Sequence, residues 1–242
     1  MASDFSSYTH MITVDDFDAI VSSDGYYTIC GFGSLLSERS ARGTFPQLIN
    51  FRVAILPNFR RIFAHAPSTF FYRGIARLET KELSSLSVEP CHGEHIIITA
   101  FEVKKPEVIA FIEREVEFRF ISVVPQGLDG KHFPNPAVVC ARYSDEEFIH
   151  DKCRGNEKLF QYFFGPPYNI ARIWRDDIFP CRVYLRHCLV AAKKMGDEVY
   201  DNFLNHTFLG DRKTTIREYM ASNGVGIMEE ELPETVKGRY DG

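Results

Sequence analysis

Residues 31–36, Gly31-Phe32-Gly33-Ser34-Leu35-Leu36, stop an apolar and aromatic run that begins at Tyr26. The pattern is that of a buried strand entering a tight loop. Two glycines let the main chain approach something closely, either a neighbouring segment or a small anionic ligand. A plain strand-ending turn accounts for the same residues.

A second set of chemically capable residues follows Pro106, a residue suited to the first turn of a helix. That helix is expected to run to about Phe118. Val108, Phe111 and Ile112 mark its apolar face, and Glu115 is the next position of that face. Glu113 and Glu117 fall on the solvent side. A carboxylate among apolar groups is costly to ionise, and a raised pKa suits a general acid/base near neutral pH. A buried ion pair of Glu115 with Arg119, Arg60 or Arg61 is the competing expectation.

Other chemistries fit less well. A dinucleotide fingerprint fails because Leu36 stands where a third glycine belongs, and no Gly-Lys-Ser/Thr follows for a phosphate loop. Ser34 lacks the G-x-S-x-G spacing of a nucleophile elbow. His92-Gly-Glu-His95 has a metal-like spacing, but Gly93 argues for a polar loop, and no metal or organic cofactor is expected.

These segments need a scaffold. The chain has 242 residues, 45% hydrophobic and 25% charged, with 21 Phe, enough for a Phe-rich core. Strands are expected at 26–32, 50–56, 60–65, 73–78, 95–103, 120–124 and 137–143, with Pro57-Asn58 as a hairpin turn and 84–93 as a polar loop. Helices are expected at 14–22, 106–118, from Ser144 towards Phe160, 183–195 and 197–206, with a further capping box at Thr215-x-x-Glu218. Phe164–Tyr168 reads as a connecting segment. A net charge of −5 gives no footprint for nucleic acid or an acidic membrane, and no apolar run is long enough to span a bilayer. Six cysteines without a CxxC pair, and no signal-like N-terminus, suggest reduced thiols and a cytoplasmic protein. One domain is expected, with loose tails at 1–10 and 229–242.

The loop Gly-Phe-Gly-Ser-Leu-Leu resembles the Tyr-Gly-Ser-Asn-Leu loop of the γ-glutamylcyclotransferase-like family. Arg114-Glu115-x-x-Phe118 resembles the family's segment carrying its catalytic glutamate. Pro180-Cys-Arg-Val-Tyr184, Ala191-Ala192, Gly196 and Tyr200 resemble a later family stretch, and the paired strands at 51–65 are similar to its second and third strands. The resemblance covers about residues 26–206 and implies an α+β fold, a small mixed β-barrel flanked by helices, with a helical insertion at about 144–180. Phe163, Phe164 and Tyr168 in that insertion are bulky enough for a lid or an interface. Phe32 stands where the family has Tyr, Leu35 where it has Asn, and Ile112 where it has Asp.

The resemblance implies release of 5-oxoproline from a γ-glutamyl amine, amino acid or peptide. The free α-amine attacks its own γ-carbonyl and expels the amine. Glu115 would shuttle the proton. The N–H groups of Gly33–Leu36 would receive the oxyanion, the Ser34 hydroxyl would bind the α-carboxylate, and Phe32, Leu35, Leu36 and Tyr184 would complete the pocket. Tyr184 packing on an apolar helix face is the plainer reading of that residue. The expected partners are the small γ-glutamyl substrate and, at most, a second copy of the chain as a homodimer. Two alternatives stay open: a member of the fold that binds a small acid or a partner without chemistry, and acyl transfer to another amine.

Overall fold

A computed structural model describes residues 4–165 and 170–240, with the backbone alone for Phe163. The strands are β1 (His10–Met11), β2 (Tyr26–Gly31), β3 (Ile49–His65), β4 (Glu82–Lys104), β5 (Arg119–Val123), β6 (Ala137–Ala141), β7 (Phe179–Pro180) and β8 (Thr207–Leu209). The helices are α1 (Val14–Phe17), α2 (Glu38–Arg42), α3 (Ser68–Tyr72), α4 (Lys105–Arg114), α5 (Asp145–Asp151), α6 (Glu157–Phe164), α7 (Arg182–Lys194), α8 (Asp197–Asn205), α9 (Ile216–Ala221) and α10 (Lys237–Tyr240).

One mixed sheet runs β1-β5-β6-β2-β4-β3-β8, and β7 pairs with the start of β4. The β2–β6 and β3–β8 pairs are parallel. The expected barrel is an open sheet. Its edges are β1, two residues long, and β8, three residues long, and they do not pair with each other. Strands this short offer too few ladder bonds to close a cylinder.

Most of the sheet is one antiparallel pair, β3 against β4. The expected turn at Pro57-Asn58 is a bulge inside β3. Asn58 takes a left-handed φ of 61° there, and Pro57 sits at an irregularity, where its missing N–H is tolerated. Residues 84–89, expected as a polar loop, form buried strand instead, with Ser84, Ser87 and Glu89 fully enclosed. Residues 73–78, expected as strand, form turns and one bridge, Arg77 to Glu82.

The core is phenylalanine-rich. Phe111 of α4 packs between Phe45 and Phe120, with ring centroids 5.8 and 5.1 Å apart. The Ser144 capping box forms as read, but the expected helix is broken into α5 and α6. Residues 229–240, expected to fray, bury Val236 and Tyr240 and pair Glu230 with Arg77 and Arg182. Phe5 is buried likewise. Pro166, Pro167 and Tyr168, part of the expected connection and lid, lie outside the described residues, as does the Phe163 side chain. All six cysteines are free thiols, and among the described residues no helix is long and apolar enough to cross a membrane.

Candidate active site

β2 ends at Gly31, and the chain turns sharply through a 3-10 turn, Ser34–Leu36. Both glycines are dictated by close approach. A Cβ on Gly31 would lie 2.5 Å from Thr99 Oγ1, and one on Gly33 would lie 2.5 Å from the Tyr184 hydroxyl. The carbonyls of the loop are also held. Thr99 Oγ1 donates to Leu35 O at 2.8 Å, and Arg61 Nε donates to Phe32 O at 2.8 Å.

Beneath the loop, Arg61 is fully buried without a carboxylate at its guanidinium. It donates to the oxygens of Phe32, Asn202 and Ile97 and lies over the Phe203 ring. Burial pulls its pKa down to about 9, which leaves it cationic at pH 7.

The loop opens onto a cavity of about 230 Å³ whose walls include Phe32, Gly33, Ser34, Leu35, Glu115 and Tyr184. Leu36 is not among them. Its side chain is buried in the core, and its N–H donates to Gly33 O at 2.9 Å. The Tyr184 hydroxyl lies against the loop, beside the backbone of Gly33 and Ser34 and close to the Cys188 thiol. Burial, with Cys188 and Glu115 nearby, pushes the phenol well above its ordinary pKa, so Tyr184 is neutral at physiological pH. One of the four amides expected to face an oxyanion is therefore occupied, that of Leu36. The Gly33 N–H meets no acceptor among the described residues.

Glu115 reaches this cavity by a different route from the one expected. α4 stops at Arg114, and Glu115 is its C-cap rather than the next position of an apolar face. Its neighbour is a guanidinium: Arg114 Nε lies 2.7 Å from Glu115 Oε1. The ion pair is local, with Arg114 rather than with Arg119, Arg60 or Arg61. The same guanidinium donates from Nη2 to Ser34 Oγ at 3.1 Å and from Nη1 to Thr44 Oγ1. Arg114 thus ties the candidate acid to the loop serine.

Glu117, expected in solvent, is buried. It accepts from the Ser68 hydroxyl at 2.7 Å, and its other oxygen lies 2.7 Å from His65 Nε2, off the axis of a regular hydrogen bond. His65 Nδ1 meets Ser85 Oγ at 2.7 Å, and its ring stacks on Trp174 at 4.4 Å. His65, Ser68, Ser85 and Glu117 all line the cavity. Sequence reading missed this polar chain because its members lie on four separate segments, β3, α3, β4 and the turn between α4 and β5. The available signal was the alternation Glu115-x-Glu117-x-Arg119, which is strand-like once the helix ends at Arg114.

Tyr240 seals one side of the cavity, edge-on to Tyr184 at 6.3 Å. Among the described residues no group of three or more His, Cys, Asp or Glu side chains could hold a metal ion.

No family model matches the chain, and no curated protein matches it. Solved structures that it resembles include "Gamma-glutamyl cyclotransferase", at 14% identity and TM-score 0.40 over 57% of this chain and 84% of the other. A second is an uncharacterized protein from Homo sapiens, at 16% identity and TM-score 0.39 over 57% and 85% of the two chains. A third is a protein from Arabidopsis thaliana, at 15% identity and TM-score 0.39 over 59% and 91%.

Proposed function

We propose that the protein is an enzyme of γ-glutamylcyclotransferase type, releasing 5-oxoproline from a γ-glutamyl compound. The observation that carries this reading is the single Arg114 guanidinium that joins Glu115 to Ser34 at the wall of one cavity. In this reading Ser34 and Arg114 receive the substrate α-carboxylate, which fixes the α-amine near its own γ-carbonyl. The amine nitrogen attacks the γ-carbon, and a five-membered lactam closes. Glu115 takes the proton from the attacking nitrogen and returns it to the leaving nitrogen as the C–N bond breaks. The Gly33 N–H, without a protein acceptor, faces the developing oxyanion. Tyr184, held neutral, packs against the loop at Gly33 and does not act as a base.

The binding-only alternative draws on Phe32, which brings no hydroxyl to the cavity, and on Glu115 already being paired with Arg114. A panel of γ-glutamyl amides, assayed for 5-oxoproline and for binding by calorimetry, separates the two. Turnover of any member sinks the binding-only reading, and binding without turnover sinks the enzymatic one.

A further inference from the structure

Part of the cavity wall carries charge that the chemistry above does not use. Arg73, which follows α3, and Arg239, in α10, line the cavity with Arg114. Arg114 is matched by Glu115. Arg73 and Arg239 form no ion pair with any carboxylate among the described residues. Arg73 donates from Nη1 to the Tyr240 hydroxyl at 2.7 Å instead, and Arg239 immediately precedes Tyr240 in the chain. Glu113 lines the same cavity, but it is exposed and pairs with neither.

Partial burial lowers the Arg239 pKa, and the neighbouring Arg114 and Arg73 guanidiniums lower it further. Like charges gathered at a partly desolvated wall repel, and an anion bound between them relieves that cost. Guanidinium forks suit carboxylates in particular, because each can donate two parallel N–H bonds.

The proposed reaction already assigns the glutamyl α-carboxylate to Ser34 and Arg114. What remains of the substrate is the leaving amine, and two unmatched guanidiniums fit two negative charges on it. We propose that Arg73 and Arg239 bind the acidic end of the leaving amine, so that the favoured substrate class is a γ-glutamyl amide of a dicarboxylic amino acid. This rests on the cyclotransferase reading for the orientation of the substrate.

Calorimetry on the whole chain tests it with γ-glutamyl-glutamate, γ-glutamyl-alanine and γ-glutamyl-ethylamide, whose leaving parts carry two, one and no carboxylates. Affinity is expected to fall about tenfold for each carboxylate removed, and less steeply at high salt. Arg239→Gln, with an unchanged urea midpoint as the check on folding, is expected to erase the gain from one carboxylate while leaving ethylamide binding unchanged. Arg73→Gln is expected to do the same, and Arg73→Lys to keep part of it. Equal affinity of the wild-type chain for all three compounds overturns the proposal, as do variants that weaken all three alike. A preserved ranking without lactam release leaves the anion wall standing and removes the cyclotransferase chemistry. Failure of all three to bind overturns both.

Discussion

The Tyr184 hydroxyl lies so close to the backbone of Gly33 that a methyl group added there would sit 2.5 Å from its oxygen. Gly33→Ala is therefore expected to destabilise the fold by about 1–3 kcal/mol, the usual cost of an overpacked interior, and to abolish lactam release. In the double variant with Tyr184→Phe the clashing oxygen is gone, and the next ring atom is 3.6 Å away. Most of the lost stability should return in urea unfolding. If the double variant is as unstable as the sum of the two singles, the contact does not set the loop.

Glu115→Gln is expected to lower 5-oxoproline release by at least about a hundredfold, the range for a lost general acid/base. The side chain can still accept from Arg114, and the pair is partly exposed, at 12% and 18%, so stability should change by no more than about 1 kcal/mol. Assay and urea titration on the same preparation check both halves. A folded variant with full activity would remove Glu115 from the mechanism.

Glu89 is fully buried on β4 and meets Arg60 and Arg212 within 3 Å, with Arg142 at 3.8 Å. Removing its charge takes from Arg60 the carboxylate it pairs with, while Arg142 and Arg212 keep Asp176. Glu89→Gln is expected to cost about 3–5 kcal/mol, read from the urea midpoint. A shift below about 1 kcal/mol would mean that Asp176, already 2.8 Å from both Arg142 and Arg212, compensates them and that Arg60 is served by solvent.

Burial, with a hydrogen bond to Asp18, pushes Tyr27 up to about 12, and burial pushes Tyr219 up to about 12. Their folded-state values exceed the unfolded value of about 10. Their stabilising contribution is thus complete below pH 10 and lost as pH rises through 12. Tyr184 adds to this in the same direction. A spectrophotometric titration should show an exposed set of phenols ionising near 10 and a buried set near 12, with the urea midpoint falling between those values. All tyrosines titrating together near 10 in the folded protein would contradict it.

The strands at 26–31, 119–123 and 137–141, the glycine loop and most helix starts are legible because local rules govern them: glycine at close approaches, capping boxes at Ser144 and Thr215, and the apolar stripe of α4 and α7. The misreadings trace to tertiary override. Helical periodicity was carried one turn too far, past Arg114, so Glu115 reached the cavity as a C-cap and Glu117 was assigned to solvent. The serines at 84–87 looked like a loop because composition cannot reveal that β3 pairs along that whole stretch. The barrel expectation failed on the length of the edge strands, which pattern reading fixes least well. Arg73, Arg239, His65 and Tyr240 could not be assembled from sequence, because the cavity gathers them from distant segments.

Arg61 is solvated by oxygens of the protein itself, much as a cation is held inside a macrocyclic ether. One of those oxygens belongs to Phe32, so the curvature of the glycine loop is imposed from below. Grafting residues 31–36 onto another strand would carry over the letters of the motif without its shape. A scaffold meant to host this loop would need the inward-facing arginine and its ring of carbonyls as well.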